Sequence, residues 1–248
     1  MVLALALALL IGVSLGTLGS GGSIVTLPVL VYAAGVPVRE AVAMSLVVVG
    51  TTAAAGSWRL ARRIGIEARV AAIFAATGMI GAWAGARLTP LVSPATLLIL
   101  FGALMLAAGV RLLTARAHPA PVAARRPWRC ALAGLALGVL TGFLGVGGGL
   151  LIIPALLLFA GVDMKRAVPT SLAVIACNCA GGLAGQLHGA NLDWGLTAAF
   201  TAAALAGMAG GTTLAARVSG PALQRVFAWA IVLLGSAIVA RNLWVIAG

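Results

Sequence analysis

Long apolar runs with few charged residues dominate this chain of 248 residues. Hydrophobic residues make up 62% of the sequence and charged residues 8%, whereas soluble domains carry about 25% charged residues. Residues 2–38, 41–58 and 70–86 contain no charge at all. A helix needs about 20 apolar residues to cross a bilayer core, and barrel strands would instead alternate polar and apolar positions over about 10 residues. The pattern therefore predicts an all-α polytopic membrane protein.

The second half of the chain repeats the first at a constant shift of 126 residues, which places residues 16–46 over residues 142–172. Each copy contains a long apolar stretch broken by glycines, at 2–36 and 130–161, and then three further runs. The runs are expected at 38–58, 67–88 and 94–113, and at 164–186, 193–214 and 219–247. We therefore predict a first repeat at 1–113, a basic, proline-rich linker at 114–129 and a second repeat at 130–248.

Charge predicts how the two repeats are oriented. The net charge of +12 would suggest nucleic acid as the partner of a soluble protein, but here the basic residues flank apolar runs and favour contact with the bilayer surface instead. If each glycine-broken stretch crosses once, the basic residues divide ten to six. If it enters the membrane and turns back, all but three of the 16 Lys and Arg residues share one side. That stronger positive-inside pattern predicts two inverted repeats, each a glycine-broken helical hairpin plus three transmembrane helices, with the linker in the cytoplasm.

Two glycine clusters carry the most informative local signal. Glycine inside a helix costs about 1 kcal/mol relative to alanine, and a broken helix is tolerated in lipid only where its free backbone groups are buried or face a polar cavity. The half-helix after each break would direct unpaired N–H groups at an anion. The alternative is that the glycines only allow close helix packing. The candidate substrate-binding residues in the clusters are Gly19, Ser20, Gly21, Gly22, Gly145, Gly147 and Gly148.

Uncharged polar side chains downstream of the clusters complete the predicted site. Ser45 and Ser171 are equivalent in the repeat, and Asn178 follows one or two turns into the next helix of the second copy. The predicted spans hold no basic residue near their middles, so an anion at the midplane would be bound by neutral donors. A serine hydroxyl bonded back to its own helix is the alternative. Pro28 and Pro154 are expected to kink the returning half-helices.

The titratable residues suggest neither an enzyme nor a metal or cofactor site. Cys177 and Cys179 are interpreted as small core residues, His188 as a loop residue, and Glu67 and Asp193 as caps of the helices that they precede. No His, Asp, Glu or Cys grouping has the spacing of a metal or hydrolase site. A coupling proton or ion and the oligomeric state stay open.

The repeated motifs resemble the sulfite exporter TauE/SafE family of permeases. The likeness rests on the paired GxxGxGG motifs followed by proline, on the downstream A-x-x-x-S-L at 41–46 and 167–172, and on the acidic start of the third segment. The first copy departs from the second by Ser23 in place of Gly149. The resemblance implies an inner-membrane secondary transporter for a small sulfur-containing or organic oxyanion such as sulfite, sulfonate or sulfoacetate. The alternatives are a permease for a different small anion and a membrane assembly protein without a substrate.

Overall fold

The computed structural model describes residues 2–18, 22–114, 127–145, 149–186, 192–214 and 220–247. Within these ranges the chain is helical and contains no strand. The structure also contains a π-helical segment, Val29–Ala33, and a short 3₁₀ turn, Thr89–Leu91. The helices are α1 (Val2–Leu18), α2 (Ser23–Pro28), α3 (Val38–Ile64), α4 (Ala68–Leu88), α5 (Pro94–Thr114), α6 (Pro127–Leu144), α7 (Gly149–Ala160), α8 (Met164–Gln186), α9 (Trp194–Leu214) and α10 (Gly220–Ala247).

Four of the described helical segments are long and apolar enough to cross a membrane, namely Val38–Ile64, Ala68–Leu91, Pro127–Leu144 and Lys165–Gln186. Shorter apolar helices lie at Ala4–Thr17, Ser23–Ala33, Pro94–Val110 and Ile231–Asn242. The protein is an all-α, multi-pass membrane protein, as the apolar pattern predicted.

The chain reverses direction at both glycine clusters. Gly22, which precedes α2, lies against the backbone of Ile11 and Leu15 in α1, whereas a continuous helix would carry residues 11 and 22 about 16 Å apart. In the second half, the Cys130 thiol near the start of α6 contacts the Phe159 carbonyl near the end of α7 at 3.4 Å. Helices α1 and α2, and likewise α6 and α7, therefore form hairpins.

Each hairpin packs mainly against a helix of the other half, with α1 on α9 and α6 on α4. Gly12 lies against the Ala204 backbone and Gly16 against Met208, so α1 and α9 run in the same direction. Gly138 and Gly142 lie against the backbones of Gly78 and Ala82 in the same way. In lipid such association depends on close packing of small residues. Close helix packing thus accounts for Gly16 and Gly142, the first glycine of each cluster.

Helix α8 also packs extensively on α4, and two further large contacts join equivalent helices of the two halves. Gly50 of α3 lies against Cys179 of α8, and Gly56 against Leu172, so α3 and α8 run antiparallel. Helices α5 and α10 are also antiparallel, because Gly102 meets Val239 while Gly109 meets Val232. The largest fully buried side chains include Phe74, Phe101 and Phe200.

Helix α3 extends beyond its predicted end. The run was expected to end at residue 58, but the basic residues 59–63 form the last turns of α3, which ends before Gly65 at a φ of 83°. The physical reason is that Arg, Leu and Ala are good helix formers, and the Arg62 guanidinium also lies 4.0 Å from the centre of the Trp58 ring.

The acidic residues differ from the predictions in part. Pro28 leads into the π-helical segment, and Pro154 lies inside α7. Asp193 caps α9 by accepting the Leu196 N–H at 2.9 Å. Glu67 does not cap α4, because its carboxylate pairs with Arg166 at 2.9 Å.

The basic residues that the structure describes separate to the two ends of the bundle. The Ser57 hydroxyl donates to the Pro169 carbonyl and Arg166 pairs with Glu67, which joins the end of α3 to the start of α8. That end carries Arg59, Arg62, Arg63, Arg69, Arg129, Lys165 and Arg166. At the other end, Arg39 donates to the Pro90 carbonyl and Arg241 stacks on Tyr32. Arg87 belongs to this second end as well.

The contact between Gly138 and the Gly78 backbone predicts a stability difference between two glycine substitutions. We expect Gly138→Ala to lower the free energy of unfolding by about 1–3 kcal/mol, because the added methyl group would push α6 away from α4. Gly210→Ala is the control, because its methyl group would meet no atom within 4 Å. Melting temperatures of the purified variants in detergent measure the difference. Equal melting temperatures would contradict the packing role of Gly138.

Candidate functional site

The two glycine breaks lie at different levels of the bundle. Gly182 of α8 contacts both Leu46 and Gly142, which places the second break beside residue 46 of α3. Gly56 of α3 contacts the Met208 side chain, and Gly16 lies against the backbone of the same Met208, which places the first break near residue 56. At a rise of 1.5 Å per residue these levels are about 15 Å apart. The described ends of the two breaks, at Gly16 and Gly142, are therefore well separated along the bundle in this conformation.

Three side chains from other helices satisfy the last carbonyl groups of α6. Helix C-termini leave carbonyl oxygens without an intrahelical partner, and these need donors when they are buried. The Thr89 hydroxyl donates to the Phe143 carbonyl at 3.0 Å, and the Gln186 amide donates to the Gly142 carbonyl at 3.4 Å. The Ser45 hydroxyl donates to the Gly145 carbonyl. The second break is thus fixed in place by α3, α8 and the turn after α4.

Gly145 ends α6 in a left-handed conformation, with a φ of 70°. Glycine is the usual residue at this position because a side chain would be strained there. A Cβ atom on Gly145 would also lie 2.7 Å from the side chain of Val42. Both its conformation and its close approach to α3 therefore require glycine at residue 145.

A polar side chain without a partner lies in the layer between the two breaks. Asn178 of α8 has no exposed surface, and neither its amide nitrogen nor its amide oxygen has a hydrogen-bond partner among the described residues. It packs directly on the backbone of Gly78 in α4. The neighbouring Cys179 lies against Gly50, about midway between residues 46 and 56 of α3. Asn178 is therefore central in the bundle and closed to both sides.

The predicted site residues are brought together only in part. The Ser45 hydroxyl lies within hydrogen-bond distance of both the Gly145 carbonyl and the Val42 carbonyl of its own helix. Ser171 has only the equivalent bond within its own helix, to the Val168 carbonyl at 2.8 Å. Ser171 lies on α8 two turns before Asn178, at the level of Gly56, so it is far from Ser45. Gly22 is buried against α1. The other predicted positions, Gly19, Ser20, Gly21, Gly147 and Gly148, lie outside the described residues.

Four further residues at these levels were not recognised in the sequence. Thr89 and Gln186 donate to backbone carbonyl groups of α6. Gly78 packs against the Asn178 side chain. Thr26 of α2 has a buried hydroxyl without a partner in the described part of the chain. Only Thr26 carried a usable signal, because it lies between the first glycine cluster and Pro28. The role of the other three depends on contacts with distant segments.

The titratable residues that the structure describes do not converge on a site. Cys179 is buried and Cys177 is partly buried, and both are free thiols. Within the described ranges, no three His, Cys, Asp or Glu side chains are grouped closely enough to hold a metal ion. His188 lies outside the described residues.

Comparison with known proteins identifies the family of this helical bundle. The profile of the family described as sulfite exporter TauE/SafE matches residues 4–238. The chain belongs to the sulfite exporter TauE/SafE family. The resemblance inferred from the glycine motifs is thereby confirmed.

Relatives of this family member are named as membrane transporters. A "Probable membrane transporter protein" of Xylella fastidiosa (strain 9a5c) is 33% identical over 245 residues, covering 94% of this chain and 92% of the relative. The "Probable membrane transporter protein YdhB" of Bacillus subtilis (strain 168) is 25% identical over 192 residues, covering 75% and 78%. No solved structure matches significantly. The TauE/SafE chain is therefore a multi-pass membrane transporter, and the inner membrane fits its bacterial relatives.

The two equivalent serines should differ in their effect on stability. We expect Ser45→Ala to lower the free energy of unfolding by about 1–3 kcal/mol, because the buried Gly145 carbonyl loses its donor. Ser171→Ala should have a smaller effect, because the Ser171 hydroxyl is bonded only to its own helix. Thermal unfolding of both variants in the same detergent is the measurement. A larger loss in Ser171→Ala would show that Ser45 does not hold the second break.

Proposed function

We propose that this protein is a secondary transporter for a small sulfur-containing or organic oxyanion, such as sulfite, a sulfonate or sulfoacetate, which binds at Asn178. The observation that carries the proposal is the buried Asn178 amide without a partner at the centre of the bundle. Membership of the sulfite exporter TauE/SafE family supports a sulfur oxyanion as the substrate class.

An amide side chain suits an anion that must both bind and leave. A buried polar group without a partner costs about 1–3 kcal/mol, so Asn178 is unfavourable for stability unless something binds it. Its NH₂ group can donate two hydrogen bonds to an oxyanion. A charged side chain at the bilayer centre would cost several kcal/mol and would hold an anion more firmly. The neutral amide therefore favours reversible binding.

The second step of the proposal is alternating access between inverted repeats, the first at 1–113 and the second at 130–248, joined by the linker at 114–129. The antiparallel contacts of α3 with α8 and of α5 with α10 support an inverted relation, because equivalent helices of parallel repeats would run the same way. Asn178 is closed to both sides in the present conformation. Rocking of one half against the other would open it to each side in turn.

The glycine breaks are proposed to line the two entrances rather than one shared pocket. They lie about 15 Å apart along α3, on either side of the layer that contains Asn178. Each break is followed by a half-helix, α2 or α7. We expect the backbone N–H groups of Gly21 and Gly147 to contact the anion as it enters or leaves.

Transport by an Asn178→Leu variant tests the proposed site. Leucine has the same number of side-chain heavy atoms and the same branching as asparagine and needs no hydrogen bond, so we expect a folded protein together with loss of flux. The matched control is Thr52→Val, because Thr52 is the repeat equivalent of Asn178 and its hydroxyl is satisfied by the Val48 carbonyl at 2.6 Å. Uptake of labelled sulfite and of a labelled sulfonate into proteoliposomes, with and without a pH gradient, is the measurement.

The outcomes separate the competing functions. Wild-type flux in Asn178→Leu would refute Asn178 as the binding site but would still show that the protein is a transporter. No flux of any small anion through the wild-type protein would favour a membrane assembly role. Flux of a different small anion, without flux of sulfite or sulfonate, would support a transporter but would contradict the proposed substrate class.

The orientation of the chain is testable by cysteine labelling. The background is a variant that lacks Cys130, Cys177 and Cys179. In it we expect Leu91→Cys to react with a membrane-impermeant maleimide added outside intact cells. Leu91 is 78% exposed and lies at the end of the bundle that carries few basic residues. His118→Cys, in the basic linker, should react only after the cells are opened. Labelling of residue 118 in intact cells would show that the chain has the opposite orientation.

A further inference from the structure

A groove between α6 and α7 opens on the outer surface of the helical bundle. It encloses about 580 Å³ and is lined mainly by apolar side chains, which include Leu132, Leu137, Leu151 and Phe159. Leu132 and Phe159 are 58% and 40% exposed, so the groove faces the surroundings of the bundle rather than its core. In a membrane-spanning protein this surface faces lipid.

The chemistry of the groove changes at one end. Trp128 and Arg129, in the first turn of α6, also line it, and the Arg129 guanidinium lies 5.4 Å from the centre of the Trp128 ring. Arg129 is the one charged residue in the lining described. Tryptophan is typical of the membrane–water interface, where arginine meets lipid phosphates. The part of the linker that precedes α6, residues 114–126, adds Arg116, Arg125 and Arg126 along the chain before this end.

The length of the groove matches one leaflet of a bilayer. From Trp128 to Leu137 the lining of α6 covers nine residue steps, or about 14 Å along the helix axis. Half of a hydrocarbon core about 30 Å thick is about 15 Å. The apolar part of the groove thus starts at the interface and ends near the bilayer centre.

We propose that the α6/α7 groove binds one phospholipid with an anionic headgroup, the phosphate at Arg129 and one acyl chain along α6. Charge complementarity favours this occupant, because a second copy of this basic chain would bring another positive surface to Arg129. The site belongs to the second half alone. The repeat equivalents of Trp128 and Arg129 are Val2 and Leu3, which can neither pair with a phosphate nor mark the interface in this way.

Native mass spectrometry of the purified full-length protein tests the proposal, with phosphatidylglycerol and phosphatidylcholine in equal amounts as probes. We expect one retained phosphatidylglycerol, favoured about fivefold over phosphatidylcholine, since one arginine near the surface contributes roughly 1 kcal/mol. Arg129→Gln should reduce the preference to about one. Arg62→Gln is the matched control, because Arg62 also stacks on a tryptophan but does not line the groove. The control should retain the wild-type preference.

A second variant tests the acyl chain separately. Ala136 lines the groove and is exposed, so Ala136→Trp should fill it without disturbing the core and should reduce retention of both lipids. An unchanged headgroup preference in Arg129→Gln, or unchanged lipid retention in Ala136→Trp, would overturn the proposal. A protein dimer that Ala136→Trp abolishes, with no lipid retained by the wild type, would also overturn it and assign the groove to a second copy.

Discussion

Backbone contact between each glycine-broken hairpin and a helix of the other half is the interaction on which the bundle depends. Lipid tails are as apolar as the helix surfaces, so hydrophobicity alone does not hold transmembrane helices together. Gly12 and Gly16 let α1 approach α9, and Gly138 and Gly142 let α6 approach α4. Because these contacts cross between the halves, each hairpin is positioned by the part of the chain that does not contain it.

The packing of each hairpin on the other half also determines which side chains lie close enough to satisfy its backbone polar groups. At the end of α6, donors from Ser45, Thr89 and Gln186 reach the last carbonyl groups from helices that are distant in sequence. Such bonds matter more inside a membrane, where no water replaces a missing partner. Against this background of satisfied groups, the Asn178 amide is an exception at the centre of the bundle.

The halves are related in sequence but differ in the charged residues at their ends. At one end Arg166 pairs with Glu67, whereas their repeat equivalents at the other end are Glu40 and Asp193, two acids that attract no such pairing. An exposed ion pair contributes at most about 1 kcal/mol, yet a difference of that size changes the ratio of two conformations about fivefold. The two ends are therefore not equivalent in charge pairing, although the repeat relates their sequences.

The sequence by itself determined the helical membrane class, the position of most helices, the repeat of 126 residues and the family. These properties follow from local composition and from spacing along the chain, which hydrophobicity and turn chemistry express directly. Only the tertiary structure decided that the breaks lie about 15 Å apart, that Ser45 holds Gly145, and that Asn178 lies unpaired against Gly78. Those facts depend on which helices touch and in which register. Apolar helices of similar composition do not encode that choice locally, because it arises from the fit of small residues on facing surfaces.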